Sequence, residues 1–148
     1  MSTQSIVAGT DGSASAERAV EEAGKLALAL GATVHVVTAY RDTSSASWMA
    51  AAGGFPVGEP ITDEDARIQA EETVTRTRDH LISLGVDAHG HVCSGDPAQA
   101  LMTVADDQDA QMIVVGNRGM SGARRVLGSV PNSVSHNAKC GVLIVPTT

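Results

Sequence analysis

Aromatic side chains are scarce in this chain, which has one Trp, one Tyr and one Phe among 148 residues and a formal net charge of −7. Surfaces that bind nucleic acid use broad positive charge or aromatic platforms on which bases stack. The composition therefore predicts that no nucleic acid is a partner. Because 43% of the residues are hydrophobic and so few are aromatic, the core is expected to consist of Val, Ile, Leu and Ala.

Cysteines and long apolar runs are also few. The two cysteines, Cys93 and Cys140, match no metal-binding or redox spacing, so we interpret both as reduced thiols in the core. No run approaches the roughly 18 consecutive apolar residues of a membrane span, and the N-terminus has no basic region followed by an apolar one. These absences predict a cytoplasmic protein with no membrane partner.

The chain lacks the sequence motifs of several enzyme classes. It has no Gly-Lys-Ser/Thr P-loop, no dinucleotide fingerprint, no Gly-x-Ser-x-Gly and no His-Glu-x-x-His. Nothing pairs a nucleophile with a base, so no dedicated enzyme and no catalytic residue is predicted. His89 and His91 share one face of a predicted strand but have no third ligand nearby in sequence, which disfavours a zinc site.

Short β-branched runs and apolar stripes at helical spacing alternate along the chain. They predict strands at 5–9, 33–40, 86–93, 111–116 and 142–145, and helices at 13–30, 62–84, 97–107 and 130–138. The resulting βαβαβαβαβ order is typical of a parallel sheet with helices on both faces. We therefore expect a single α/β domain over residues 1–148.

Individual residues predict where the helices begin and which of their side chains form a buried stripe. Ser13 and Asp96 are expected to cap the first and third helices, with Gln99 as the capping-box partner of Asp96. The buried stripe of the first helix is predicted to be Ala16, Ala19, Val20, Ala23, Leu26, Ala27 and Leu30. That of the second helix is predicted to be Ala66, Ala70, Val74, Thr77, Leu81 and Leu84.

Residues 41–61 interrupt this alternation with a stretch rich in Ser, Ala, Gly and Pro that contains Trp48 and Phe55. A connection of this length in a compact domain predicts a flexible insert, either a mobile lid or a disordered segment. The two rings could close over a ligand, or pack on the domain edge or on a partner subunit. We favour packing.

The fourth predicted strand leads into the most informative stretch of the chain. It ends at Gly116, and further glycines follow before Ser129, where the last helix is expected to start. Glycines let backbone N–H groups approach a ligand, and a helix N-terminus attracts anions, so the stretch predicts a phosphate site.

The charge distribution supports the same prediction. Residues 110–148 contain no acidic side chain and four basic ones, Arg118, Arg124, Arg125 and Lys139. This charge favours an anion site over a solvated basic face, and one of the arginines could reach a phosphate.

Two predicted loops lie at carboxyl ends of strands, at Gly9 to Ser13 and at Gly116 to Ser129. In open parallel sheets, ligands bind beyond these ends at the point where the strand order reverses. If the two strands flank that point, the loops face each other across one crevice.

The motif Gly116-Asn117-Arg118-Gly119, then eight residues, then Gly128-Ser129 resembles the nucleotide-binding branch of the universal stress protein family. The resemblance extends over the whole chain, through Gly9-Thr10-Asp11-Gly12-Ser13 and Gly95-Asp96-Pro97. The family spacer is about nine residues, one more than here. The resemblance implies one open, Rossmann-like sheet of five parallel strands in the order 3-2-1-4-5, as in adenine nucleotide alpha hydrolase-like proteins.

The resemblance also implies a role for individual positions. Thr10 and Asp11 would line the adenosine end, with Asp11 near the ribose or a bound Mg²⁺, and the backbone at Ala39 would meet the adenine edge. The implied nucleotide-binding set is Gly9, Thr10, Asp11, Ala39, Gly116, Asn117, Arg118, Gly119, Gly128, Ser129, Val130 and Pro131. Two of these residues also have simpler explanations: Asp11 could be an acidic residue in a turn, and Ser129 could be a plain helix cap.

The implied function is a regulatory stress-response protein that binds ATP, with Mg²⁺ as a possible second cofactor. The family commonly dimerises through the terminal strand, so Val142, Leu143, Ile144 and Val145 are expected at a homodimer interface. Three alternatives stay open: a cyclic AMP-binding member of the same family, a slow ATPase, and a chaperone-like interaction protein that needs no nucleotide.

Overall fold

A computed structural model describes residues 3–41, 62–117 and 128–147. Five parallel strands form one sheet in the order β3-β2-β1-β4-β5, and helices connect them. The strands are β1 Ser5–Gly9, β2 Thr33–Tyr40, β3 Ala88–Ser94, β4 Met112–Gly116 and β5 Gly141–Val145, and the helices are α1 Ala14–Leu30, α2 Asp63–Ser83, α3 Pro97–Asp107 and α4 Ser129–Asn137. The predicted fold class and strand order are confirmed.

The sheet separates two aliphatic cores. On one face, α1 and α2 cover residues such as Ile6, Val36 and Val114. On the other face, α3 and α4 cover Val7 and Ile113. Both faces of the central strands are therefore buried, which explains why β1 and β4 are unbroken apolar runs in the sequence.

Side-chain caps define three of the helix starts. The Ser13 hydroxyl accepts a hydrogen bond from the N–H of Ala16 at 3.2 Å. The Thr62 hydroxyl caps α2 in the same way, and the Asp96 carboxylate accepts from the N–H of Gln99 at 2.9 Å. The caps are as predicted, but the capping box is not, because the Gln99 amide donates forward to the hydroxyl of Thr103 at 3.3 Å.

The predicted buried stripes of α1 and α2 are wrong at their C-terminal ends. Leu30 and Leu84 were expected in the core, yet each is 52% exposed. Both lie where a helix ends: Leu30 is the last residue of α1, before Gly31 at φ 67°, and Leu84 is the C-cap of α2. The chain turns away there toward the next strand, so these side chains extend past the sheet. Strand β3 also starts two residues later than predicted.

The topology brings the carboxyl ends of β1 and β4 together. Strands β1 and β4 are neighbours, and the connections from them run to opposite faces of the sheet. This is the point of strand-order reversal, so the loop after β1 lies beside the end of β4. The long connection of 41–61, with Trp48 and Phe55, lies outside the described residues except for Arg41.

Candidate functional site

Hydrogen bonds hold the loop after β1 against β2. The N–H of Thr10 donates to the carbonyl of Val37 at 2.9 Å, and the Thr38 hydroxyl donates to the carbonyl of Thr10 at 3.0 Å. The Thr10 hydroxyl in turn accepts from the N–H of Gly12 at 3.0 Å. Thr10 is buried, so its direct role is to shape the loop.

Asp11 is exposed and forms a turn. Its Oδ1 accepts from the N–H of Ser13 at 2.9 Å, as in an Asx-turn, and its Oδ2 has no partner within the described ranges. The turn explanation for Asp11 is therefore correct, and it leaves one carboxylate oxygen for a ligand hydroxyl or a hydrated Mg²⁺. In the three described ranges, no group of three or more His, Cys, Asp or Glu residues is arranged to hold a metal ion.

Gly9 and Ala39 border the crevice at its β2 side. A Cβ on Gly9 would lie 3.1 Å from the Leu101 side chain, so this glycine permits close packing of α3. Ala39 lies beyond the β1–β2 ladder, whose last pair is Gly9 with Val37. Backbone groups two residues apart on a strand face the same side, and the Val37 carbonyl faces β1. The backbone of Ala39 therefore faces the loop after β1.

On the β4 side, one hydrogen bond closes the base of the glycine-rich loop. The N–H of Gly128 donates to the carbonyl of Asn117 at 3.2 Å, and the N–H of Asn117 donates to the carbonyl of Val145 at 2.9 Å. The start of α4 therefore lies next to the end of β4. Arg118 and Gly119, together with Arg124 and Arg125, lie outside the described residues.

The N-terminus of α4 points its free donors into this region. Gly128 is the N-cap, without a side-chain cap, and its carbonyl accepts from the N–H of Asn132 at 3.1 Å. Pro131 is buried and has no N–H. As first-turn groups, the amides of Ser129 and Val130 have no helical carbonyl before them, and neither has an acceptor in the described part of the chain. Ser129 is exposed at the helix start, where the partial positive charge of the dipole is greatest.

Two residues that the sequence reasoning missed complete the β4 side. Thr147 donates to Asn117 Oδ1 through its N–H at 3.1 Å and its hydroxyl at 2.9 Å. The Arg18 guanidinium donates to the carbonyl of Thr147 at 2.7 Å. We call Arg18, Asn117 and Thr147 the Thr147 clamp. Arg18 and Thr147 are 129 positions apart, and no local pattern signals such a contact.

Strand β5 is an edge of the sheet. Val142, Leu143 and Ile144 are half-buried, and Val145 is buried. The Gly141 N–H and the Val145 carbonyl bond toward β4. The direction of the main-chain N–H and carbonyl groups alternates from one strand residue to the next. Those of Val142 and Ile144 therefore face outward, where an edge strand can pair with another chain.

A cavity of about 370 Å³ lies between α3 and α4, and it contains none of the predicted site residues. Its lining includes Asp106 and Lys139, which form an exposed ion pair at 3.6 Å. Lys139 is thus the one of the four C-terminal basic residues that the structure describes, and it lies against α3 rather than at the crevice. Cys140 also lines this cavity, and burial raises the pKa of its thiol, which keeps the thiol protonated.

The structure adds a third histidine to the pair on β3. His35 on β2 is buried beside them, with its Nδ1 2.9 Å from His91 Nε2 and its ring stacked on that of His89 at 5.6 Å. Burial lowers the pKa of His35 and of His91, and the neighbouring imidazoles lower each pKa further. The carboxylates of Asp87 and Asp107 act in the opposite direction. The cluster lies at the start of β2, away from the crevice.

This cluster predicts a loss of stability in mild acid. Both folded-state pKa values lie below the unfolded value of about 6.5, so unfolding takes up protons as the pH falls through that value. We expect the melting temperature to fall between pH 7.5 and 5.5, and His35→Gln to roughly halve that fall because one of two coupled groups is gone. Thermal unfolding followed by circular dichroism measures both. His136→Gln, at an exposed histidine on α4, is the control; an equal effect of the two variants would contradict the prediction.

An open parallel sheet with a glycine-rich loop and a helix N-terminus at its reversal point is typical of doubly wound α/β proteins that bind nucleotides. The sequence matches the universal stress protein family over residues 2–146. The chain belongs to this family, which confirms the resemblance seen in its motifs.

Individual relatives cover the chain almost completely. Universal stress protein Rv1636 of Mycobacterium tuberculosis is 35% identical over 98% of this chain and 97% of its own. The crystal structure of a universal stress protein in complex with cAMP is 33% identical, covers all of both chains and has a TM-score of 0.70. A universal stress protein of Archaeoglobus fulgidus in complex with dAMP is 26% identical, covers 97% of this chain and 98% of its own, and has a TM-score of 0.70. None of the helices in the described ranges is long and apolar enough to cross a membrane.

Proposed function

We propose that this chain is a regulatory protein that binds an adenine nucleotide in the crevice between the loop after β1 and the start of α4. The observation that carries the proposal is the pair of similar proteins, at 33% and 26% identity, whose structures contain cAMP and dAMP. The adenosine would lie along Thr10, Asp11 and the backbone of Ala39. The phosphate would lie at Ser129 and Val130, beside Gly116.

A ligand with one phosphate, cyclic AMP foremost, is the leading candidate. The full-length neighbour at 33% identity contains cAMP, and the dAMP of the second neighbour also has one phosphate. Pro131 removes one of the N–H donors that the first turn of α4 could otherwise offer. The spacer between Gly119 and Gly128 is also one residue shorter than in the ATP-binding motif.

ATP is the second candidate, because Gly116, Gly119, Gly128 and Ser129 preserve all four anchors of the family's ATP motif. In that case Asp11 Oδ2 would supply one ligand to a Mg²⁺ that the phosphates and water otherwise coordinate. We do not propose an enzyme, because the residues that the structure describes pair no base with a nucleophile beside Asp11. Phosphate release above a heat-inactivated control, abolished by Asp11→Ala, would identify a slow ATPase instead.

The first experiment is mass spectrometry of any nucleotide released by denaturing the freshly purified protein, followed by isothermal titration with cyclic AMP, AMP and ATP. We expect at least a tenfold preference for cyclic AMP over ATP, which corresponds to about 1.4 kcal/mol. A reversed order would favour the ATP candidate. Equally weak binding of all three would contradict the proposal, and suppression of protein aggregation without nucleotide would then favour the chaperone-like alternative.

We further propose that two copies pair through β5, with Val142, Leu143, Ile144 and Val145 at the interface. Three apolar side chains are half-exposed on this strand, and its outward N–H and carbonyl groups have no partner in the described ranges. An edge of this composition attracts another strand. The single-domain organisation over residues 1–148 is part of the same proposal.

A further inference from the structure

We propose that the Thr147 clamp fixes the Asn117 side-chain amide as a donor to the ligand phosphate. Asn117 would then select phosphorylated ligands over adenosine, and Thr147 would be a positioning residue. This inference rests on the proposed function, because it concerns the same crevice.

The partners of Asn117 determine which way its amide points. A backbone N–H can only donate, so the Asn117 atom that faces the Thr147 N–H must be Oδ1. The Thr147 hydroxyl donates to the same oxygen at 2.9 Å, which occupies its second lone pair. A flipped amide would place a donor nitrogen against the Thr147 N–H. The NH₂ group of Asn117 therefore faces away from Thr147.

The main chain of Asn117 lies beside the start of α4. The Asn117 carbonyl accepts from the N–H of Gly128 at 3.2 Å, and Ser129 and Val130 follow with their free amides. No described residue accepts a hydrogen bond from Asn117 Nδ2. A phosphate at the helix N-terminus could accept from all three groups.

Thr147 can hold Asn117 because every polar group of Thr147 is engaged. It is 4% exposed, and its carbonyl accepts from Arg18 at 2.7 Å. Its methyl carbon lies 3.1 Å from the place where a Cβ on Gly116 would be, so the glycine leaves room for it. Rotation of the Thr147 side chain would break the hydrogen bond from its hydroxyl to Asn117 Oδ1 and move its methyl group from its place beside Gly116.

Asn117→Asp is the sharpest test. The aspartate keeps an acceptor for both Thr147 donors, but it replaces the NH₂ group with a negatively charged oxygen. Isothermal titration with cyclic AMP and with adenosine gives the ratio of the two affinities, which we expect to fall at least tenfold. Asn137→Asp adds the same charge at the far end of α4, about 12 Å away along the helix, and should change the ratio less than twofold.

Two variants of Thr147 test its positioning role. Thr147→Val replaces the hydroxyl donor with a second methyl group and keeps the first, and it should lower the same ratio two- to fivefold. Thr147→Ser keeps the hydroxyl donor, so the ratio of the two affinities should stay close to that of the wild type. In ¹H–¹⁵N NMR spectra of the wild type, cyclic AMP should shift the Asn117 side-chain amide signals, and adenosine should not.

The outcomes separate the two proposals. If the wild type binds cyclic AMP and Asn117→Asp leaves the ratio unchanged, or if it weakens both ligands equally, the inference is wrong and the proposed function stands. If the wild type binds neither cyclic AMP nor ATP, the proposed function is wrong and the inference is overturned with it.

Discussion

Gly128→Val is expected to reduce the affinity for cyclic AMP and for ATP at least a hundredfold, about 2.7 kcal/mol, while the protein still folds. Gly128 is the N-cap of α4, at φ −59° and ψ 162°, a conformation that any residue can adopt. The main-chain conformation therefore accepts a side chain here, although valine at an N-cap is less favourable than glycine. The valine methyl groups, however, would occupy the space directly before the free amides of Ser129 and Val130. From the sequence motif, Gly119→Val should act in the same direction.

Titration measures the affinity, and circular dichroism verifies the fold. Gly141→Val is the matched control, because Gly141 is exposed at the start of β5 and a Cβ there would have only an ordinary contact of 3.4 Å with the Gln111 carbonyl. β-branched residues are also favoured in strands. A folded Gly128→Val protein that binds nucleotide like the wild type would place the site elsewhere on the molecule.

Ile144→Pro is expected to convert a dimer into a folded monomer. The N–H of Ile144 faces outward from β5, so proline removes a donor available to a second copy and leaves the ladder to β4 intact. The main-chain N–H of the neighbouring Leu143 points the opposite way, toward β4. Leu143→Pro removes a hydrogen bond of the β4–β5 ladder and leaves a β4 carbonyl without its donor, so it should lower the stability of the whole domain by about 1–3 kcal/mol, whereas Ile144→Pro should change the melting temperature little.

Analytical ultracentrifugation over a range of concentrations reports the oligomeric state of the wild type and of both variants. A dimer that survives Ile144→Pro would show that the interface does not use the outward backbone of β5. A wild-type protein that is monomeric at every concentration would contradict the proposed homodimer itself.

The order of strands and helices was predictable because each element carries a local signal. Strand β4 is an apolar run ending at Gly116, and α1 begins at a Ser13 cap that the structure reproduces. The ends of the stripes were not predictable, as Leu30 and Leu84 show. Helical spacing continues through both residues, but burial depends on where the neighbouring strands end, which is a property of the packed sheet.

By itself, the sequence determined the family, the α/β class and the glycine-rich stretch from Gly116 to Ser129, because these depend on residues close together in the chain. Only the tertiary structure decided what surrounds that stretch. It placed Thr147 against Asn117 and Arg18 against Thr147, and it brought His35 on β2 to His91 on β3. Such contacts join residues tens of positions apart or more. Their geometry follows from the register of the sheet and the packing of helices on it, which no local pattern encodes.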